Sequence, residues 1–567
     1  MLSGGEGGSV DDRSDPVSPP PPSPSVQGQF SHAAVAVDSE PCSAVGRDIL
    51  SRDGTAVDAA VAVLFCNGVV VPQSMGVGGG FIMTVHLADG TAESLVAREM
   101  APAAATMNMF SNKSSTVGPF SSGVPGEVKG YWEAKQKYGN PRISWAELLQ
   151  PSIDLCFDGI RVTAHAANAL RRSKKRILQD PGLRALFVDD DTDDVLKEGD
   201  VYTNTVFGET LKKIAAGGAD VFYNGEVGRD LIRDMREAGG IMTMDDLSNY
   251  RVSWETPVSA VLPGTDLTLL TSPPPASGSV MMSILGIAGS FQPRPSDINR
   301  PVTWHRWVEA CKWSYARRTL LGDWSDENIR DSVIKTVTNM TNDEWWSQVR
   351  DSVSDDSTSQ DPEEYGAEFS DTEDSGTAHV SILAPNGDAV SVTSTVNLFY
   401  GSKYMSPSTG IILNNQMDDF STPGLINSFG VPPSENNFIK PGKRPVSSMS
   451  PSIVVDNDNR VVAIVGASGG TKIITSVAQV IYRLVYMRQS VKASVDARRL
   501  HHQLVPMHVS YEEGVTKWII DGLKARGHKV SKKPIGGSVI QAISVDRNTG
   551  MITANADFRK GGTVDGF

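Results

Sequence analysis

Ser375-Gly376-Thr377-Ala378-His379-Val380-Ser381 marks the point where a long acidic segment gives way to alternating apolar and hydroxyl residues. Residues 351–376 contain ten Asp or Glu and no Lys or Arg, the composition of a solvated, self-repelling and flexible segment. Beyond it, Thr377–Leu383 and Ala389–Thr395 flank Pro385-Asn386-Gly387 and read as a β-hairpin. Pairing Val380 with Val392, Ile382 with Val390 and Ala378 with Ser394 gathers the apolar side chains on one face. The other face then sets Thr377 opposite Thr395, His379 opposite Thr393 and Ser381 opposite Ser391. A slip of one residue sets Val380 against Thr393 and mixes both faces, so the pattern selects the first register. A Gly376-Thr377 bond at this junction is a candidate for self-cleavage. Once cut, Thr377 carries a free α-amino group with a reference pKa of about 7.7 to 8.0, able to act as base for its own hydroxyl. A threonine that merely starts a strand satisfies the same seven residues, so the decision rests on the remainder of the chain.

The 567 residues are 40% hydrophobic and 21% charged, enough for two domains or one large layered core. A net charge of -14 argues against nucleic-acid binding, which needs clustered Lys and Arg. The sequence has no apolar run of 18 residues and no signal-peptide pattern at its start. Cys42, Cys66, Cys156 and Cys311 lack zinc or redox spacing, and no metal or cofactor is expected. On count alone, a Cys42–Cys66 bridge and buried free thiols stand equal. Asn112 and Asn339 open glycosylation sequons.

Residues 1–30, rich in Gly, Ser, Asp and Pro, are expected to form a disordered lead. Ala33–Val37 reads as a strand, and Thr55 as the cap of a buried helix beginning at Ala56. The cluster Met75-Gly76-Val77-Gly78-Gly79-Gly80 lacks the Gly-Lys-Ser/Thr ending of a phosphate loop and is assigned to close backbone approach. It leads into strands Phe81–Leu87 and Glu93–Val96. Arg98 follows the second strand, placed to hold a carboxylate through its planar fork or to form a structural salt bridge. Glu127–Gly322 reads as mostly helical, with Trp304, Trp307, Val308, Cys311, Tyr315 and Leu320 on one core face. Farther on, Asn414–Phe420 concentrates amides and carboxylates suited to an ammonium group. Ser447-Ser448 presents two small donors, and Gly466-Ala467-Ser468-Gly469-Gly470-Thr471 offers backbone N–H groups between a strand and a helix, where an oxyanion can be received.

From about Ala33 to the C-terminus the sequence resembles the γ-glutamyltransferases, also called glutathione hydrolases, of animal type. The likeness is densest in Gly376-Thr377-Ala378-His379, Thr393-Ser394-Thr395-Val396-Asn397-Leu398, Met417-Asp418-Asp419-Phe420, Pro445-Val446-Ser447-Ser448-Met449 and Gly469-Gly470-Thr471. The resemblance implies an α/β (α+β) N-terminal nucleophile hydrolase, an αββα four-layer sandwich built from two autocleaved subunits. These would be a large subunit of residues 31–376, ending in the acidic segment 351–376, and a small catalytic subunit of residues 377–567. It further implies Thr377 as nucleophile, Thr395 bonded to its hydroxyl, and Gly469 and Gly470 as oxyanion donors. Arg98, Ser447 and Ser448 would bind the glutamyl α-carboxylate, and Asn397, Gln416 and Asp419 the α-amino group. Lys560 corresponds to a tail lysine that the family places near Arg98. Cys42 and Cys66 match a family disulfide, whereas Gln416 stands where many animal members carry glutamate. The implied donors are glutathione and other γ-glutamyl compounds; the implied acceptors are water, amino acids and dipeptides. An extracellular location follows, secreted or on the outer face of the plasma membrane through an anchor absent from this chain. The other expectation in play is a secreted, weakly active or non-catalytic relative of venom type that serves as a binding protein.

Overall fold

The computed structural model describes residues 14–366, 376–424 and 433–567. Ser375, residues 367–374 of the acidic segment and residues 1–13 of the lead lie outside these.

Fourteen strands form two seven-stranded antiparallel sheets. They are β1 (Gly28–Phe30), β2 (Ala34–Val37), β3 (Gly80–His86), β4 (Ala92–Ala97), β5 (Ser253–Glu255), β6 (Val258–Val261), β7 (Thr268–Thr271), β8 (Gly376–Leu383), β9 (Ala389–Asn397), β10 (Ser452–Val455), β11 (Val461–Ser468), β12 (Val539–Val545), β13 (Ile552–Ala556) and β14 (Thr563–Gly566). One sheet runs β14-β2-β8-β9-β3-β4-β5 and the other β1-β13-β12-β11-β10-β7-β6. The two are covered by helices, among them α1 (Glu40–Ser51), α2 (Ala56–Val70), α3 (Gly278–Ser290), α4 (Pro301–Arg318) and α5 (Lys472–Val485).

The β8–β9 hairpin adopts the register that its side chains select, with Thr377 opposite Thr395, His379 opposite Thr393 and Val380 opposite Val392. The reason is visible in the layers. Ala378, Val380, Ile382, Val390 and Val392 join the apolar cluster of α1 and α2, while Val454, Val465, Ala467, Ile540 and Ala542 of the other sheet join that of α3, α4 and α5. The hydroxyl face of the hairpin therefore looks at the second sheet. There Ser381 Oγ donates to the Gln541 carbonyl at 3.1 Å and the Ser452 N–H donates to Ser391 Oγ at 3.0 Å. A buried hydroxyl is tolerated only where it finds such partners, so the alternation of the hairpin is what produces a sheet-on-sheet sandwich with helices outside.

Thr55 caps α2 reciprocally with Asp58, as the sequence indicates. Cys42 of α1 and Cys66 of α2 form a disulfide, and Cys156 and Cys311 are buried thiols. Trp304, Trp307, Val308, Cys311 and Tyr315 of α4 face the core, whereas Leu320 lies past the end of the helix and is half-buried.

Glu127–Gly322 is mostly helical, as expected, but also contributes three strands, β5, β6 and β7, that extend both sheets. Two other expectations are corrected. The lead is docked from residue 14 onward: Asp15 pairs with Lys532 at 2.7 Å, Ser23 Oγ donates to Asp496 at 2.7 Å, and β1 pairs with β13. The acidic segment is likewise held through residue 366, with Asp355 on Arg306 at 2.6 Å and Gln360 on the Gly527 carbonyl at 3.0 Å. Opposite charge and long-range bonds supply the order that local composition lacks.

Candidate active site

Thr377 lies at the start of β8 and is 2% exposed. Thr395 Oγ1 forms a short hydrogen bond to the Gly376 carbonyl and accepts the Asn397 N–H at 2.9 Å. A hydroxyl has one hydrogen, so in the 3.1 Å contact between the two threonine oxygens Thr377 is the donor. The hydrogen bonds thus run from Thr377 to Thr395 and from Thr395 to the carbonyl that precedes Thr377. Asn397 holds a positive φ of 77°, which turns the chain at the end of β9 and aims its N–H back at Thr395. The glycine cluster gives this turn its support: a Cβ on Gly79 would sit 2.1 Å from the Thr395 carbonyl oxygen, so only glycine lets that backbone pass.

On the other side, Lys560 Nζ donates to the Thr377 carbonyl at 2.8 Å and pairs with Asp38 at 2.8 Å. Asp38 also accepts from Gln541 Nε2 at 2.6 Å. The resemblance associates Lys560 with Arg98; here its bonds are to Asp38 and Thr377. His379 is no base for Thr377: its ring bonds to Thr393 at 2.8 Å and Ser381 at 3.1 Å, and burial pushes it down to about 3.

Arg98, with its side chain 1% exposed, donates to Asp419 in a short ion pair and reaches the Pro445 and Val446 carbonyls at 3.4 Å. Gln416 Nε2 donates to the same Asp419 oxygen at 2.6 Å. Asn397 Nδ2 donates to the Asn415 carbonyl at 3.1 Å, and Ser448 Oγ accepts from Arg318 at 3.0 Å. Ser447 Oγ accepts the Met449 N–H at 3.2 Å. Arg98, Gln416 and Asp419 are therefore one contact group. Around it, Arg98 Nη1, Asn397 Oδ1, Gln416 Oε1 and both Glu99 oxygens are buried with no hydrogen-bond partner, Arg98 Nη1 and Glu99 Oε2 meeting only as an ion pair at 3.7 Å. Such atoms are costly to leave unmatched. One unmatched donor beside several unmatched acceptors is the complement of a group bearing both a carboxylate and an ammonium.

Gly469 and Gly470, at positive φ of 124° and 59°, make the turn between β11 and α5, and the Gly469 and Gly470 carbonyls already cap the helix through Lys472 and Ile473. Their own N–H groups belong to the turn that opens α5. Among the described residues, His305, Glu309 and His528 bring possible metal-ligand atoms within 4.8 Å of one another. Glu309, however, already accepts from Lys312 at 3.1 Å and Tyr365 at 2.9 Å, which is the wiring of a proton-donor network.

Glu99, Asp38 and Gln541 were not singled out from the sequence, since a lone carboxylate after a strand has no signature. Glu99 has one clue, its place beside Arg98. Burial pushes its carboxyl up to about 7, against the opposing pull of Arg98. A raised carboxyl pKa means the folded protein holds a proton that the unfolded chain releases above about 4.5, so stability falls as pH rises from there to about 7. Glu99→Gln is expected to flatten the decline in melting temperature between pH 5 and 8, by on the order of 3 kcal/mol at the alkaline end. Parallel melting curves for wild type and variant would refute the assignment.

A family model described as gamma-glutamyltranspeptidase matches residues 42–567. Scoloptoxin SSD14 of Scolopendra dehaani is 44% identical over 96% of this chain and 94% of that protein. Glutathione hydrolase 2 of Arabidopsis thaliana is 38% identical over 94% of each. In structure, a cephalosporin acylase from Bacillus halodurans superposes over 98% of this chain and 99% of that one, with a TM-score of 0.84 at 24% identity, a likeness of fold.

Proposed function

Since the chain belongs to the gamma-glutamyltranspeptidase family, we propose that its γ-glutamyl transfer and hydrolysis run through Thr377 after the chain has cut itself at Gly376-Thr377. The protein is a γ-glutamyltransferase and glutathione hydrolase with the N-terminal nucleophile hydrolase fold.

In the cutting step Thr377 Oγ1 adds to the Gly376 carbonyl carbon, its proton going toward Thr395, while the Thr395 hydroxyl stabilises the carbonyl oxygen. Collapse breaks the C–N bond as that proton passes on to the Thr377 nitrogen, leaving Gly376 esterified to Thr377 Oγ1 and the Thr377 amine free. One water hydrolyses the ester. Residues 31–376 then form the large subunit and 377–567 the small one. Thr395→Ala should lengthen the half-time of cutting by about 100-fold or more, and Thr395→Ser, which keeps the hydroxyl, should restore most of the rate. A time course on denaturing gels reads both; equal half-times in Ala and Ser would remove Thr395 from the step.

In turnover the free amine takes the Thr377 proton, Oγ1 attacks the γ-carbonyl of the donor, and the proton passes to the departing amine. The Gly469 and Gly470 N–H groups receive the oxyanion, each donor contributing about 100-fold or more. Water then yields glutamate, and an amino acid or dipeptide amine yields a new γ-glutamyl amide. The observation that carries this reading is the Arg98–Asp419–Gln416 group with its unmatched neighbours. An amino-acid head carries its carboxylate and ammonium on one carbon, and Asp419 touches both the guanidinium and the amide that would hold them. Ser447 and Ser448 lie on the loop whose backbone Arg98 holds and complete the carboxylate side, while Asn397 adds an acceptor for the ammonium. Gln416 keeps the acceptor but not the charge that glutamate would bring, which weakens ammonium binding.

No helix among the described residues is long and apolar enough to cross a membrane. The Cys42–Cys66 disulfide and the exposed Asn112 and Asn339 support folding in an oxidising compartment and an extracellular or cell-surface setting. The likeness to Scoloptoxin SSD14 favours a second reading, a secreted protein of toxin type. Purified protein given a γ-glutamyl anilide separates the two: release of the aniline is expected, and folded, two-chain protein that releases none would leave only the second.

A further inference from the structure

A cavity of about 640 Å³ lies among α4, α5 and the docked lead, lined by residues that include Pro19–Pro22, Trp304, Arg483, Arg498, Val515 and Ile519. None of these belongs to the Thr377 or Arg98 groups. Its walls mix apolar residues with polar ones, among them the Lys492–Asp496 pair, and two guanidinium groups enter it. Arg498 makes no side-chain hydrogen bond or ion pair with any described residue, and its Nε and Nη1 are buried without a partner. Arg483 stacks over the Trp304 ring, 4.8 Å from the centroid, and donates only Nη1, to Gln489 at 3.0 Å; its Nε is buried and unmatched. The nearby carboxylates are committed elsewhere: Asp496 to Lys492 at 2.7 Å, and Glu512 and Asp557 to Arg559 at 2.5 and 3.0 Å. Burial pushes Arg483 down to about 10, still charged at neutral pH, and lowers Arg498 as well.

The Arg483 and Arg498 side chains are both half-buried and Asp496, paired with Lys492, shares the lining, but guanidinium nitrogens buried without a partner are costly to leave unmatched, and two such groups in one cavity of ligand size suit an anion. We propose that this cavity is a binding site for a small organic anion: an oxyanion head, foremost a carboxylate, on Arg498 and Arg483, with an apolar body against Trp304, Val515 and Ile519. Arg suits the head because its planar fork matches a carboxylate in two bonds, and Trp304 presents an aromatic face to the body while holding Arg483 from behind.

The test is calorimetric titration of the whole protein with octanoate, octyl phosphate and 1-octanol at constant ionic strength. Octanoate is expected to bind at least 10-fold more tightly than 1-octanol, and Arg498→Gln and Arg483→Gln each to weaken it at least 10-fold, with Arg498→Lys between. Arg98→Gln, which alters the other carboxylate-binding group, should leave octanoate binding unchanged. Tighter binding of octyl phosphate than of octanoate would assign the head to phosphate and overturn the carboxylate. Equal affinity for octanoate and 1-octanol, or wild-type affinity in Arg498→Gln, would overturn the site. Should Arg498→Gln fail to fold, Val515→Trp decides: filling the cavity is expected to abolish binding, and retained binding overturns the proposal.

Discussion

Thr377→Ala is expected to migrate on a denaturing gel as one chain of 60.7 kDa, where the wild type gives two bands, and to lose γ-glutamyl anilide turnover by about 10⁴-fold or more. Both effects have one cause. In the proposed mechanism the hydroxyl that attacks the Gly376 carbonyl during maturation is also the one that attacks the donor afterwards, and its base exists only once the first attack has freed the amine. Alanine removes the donor to Thr395 but leaves Thr395 bonded to the Gly376 carbonyl and Lys560 bonded to the carbonyl of residue 377. Those are backbone acceptors, so the variant should fold and melt close to the wild type. Loss of turnover with an intact melt therefore separates chemistry from collapse. Two bands from Thr377→Ala would show that another group cuts the chain, and the nucleophile assignment would fall with it.

What could be read from the sequence follows from how locally each feature is encoded. The hairpin register was legible because valine and isoleucine alternate with hydroxyl residues on both strands, and only one pairing keeps them apart. The capped helix α2 was legible through Thr55 and Asp58, three residues apart. Strands β5, β6 and β7 were hidden inside a helical stretch because they are three or four residues long and draw their stability from β4 and β10, far away in the chain. The docked lead was hidden for the same reason: Asp15 and Ser23 are ordinary polar residues until Lys532 and Asp496 are set beside them. Within the site, motif residues such as Arg98 and Asp419 were named in advance and are found in contact, but Glu99 and the Asp38–Lys560 pair depend on burial, which no short stretch of sequence displays.

Arg98→Gln is expected to keep the two-band pattern while raising KM for γ-glutamyl donors by roughly 100- to 1000-fold, with a smaller change in kcat. The magnitude follows from losing a bidentate, charge-assisted contact in a buried setting, worth about 3 to 4 kcal/mol. The KM weighting follows from where the contact acts: the α-carboxylate is remote from the γ-carbonyl and is held alike in ground and transition states, so its loss is mostly a loss of binding. Maturation should survive, since the partners of Arg98 are Asp419, Glu99 and the Pro445–Val446 backbone, none of which touches Gly376 or Thr395. The rival reading is that Arg98 serves only to neutralise Asp419. A buried carboxylate stripped of its cation costs about 3 to 5 kcal/mol, so both readings predict a lower melting temperature, and stability alone cannot choose between them. Kinetics can. If Arg98 binds substrate, Arg98→Lys restores charge but not the fork, and KM should remain at least 10-fold above wild type while much of the stability returns. If Arg98 is only a counter-ion, KM should recover together with the melting temperature, and the carboxylate-binding role would be lost.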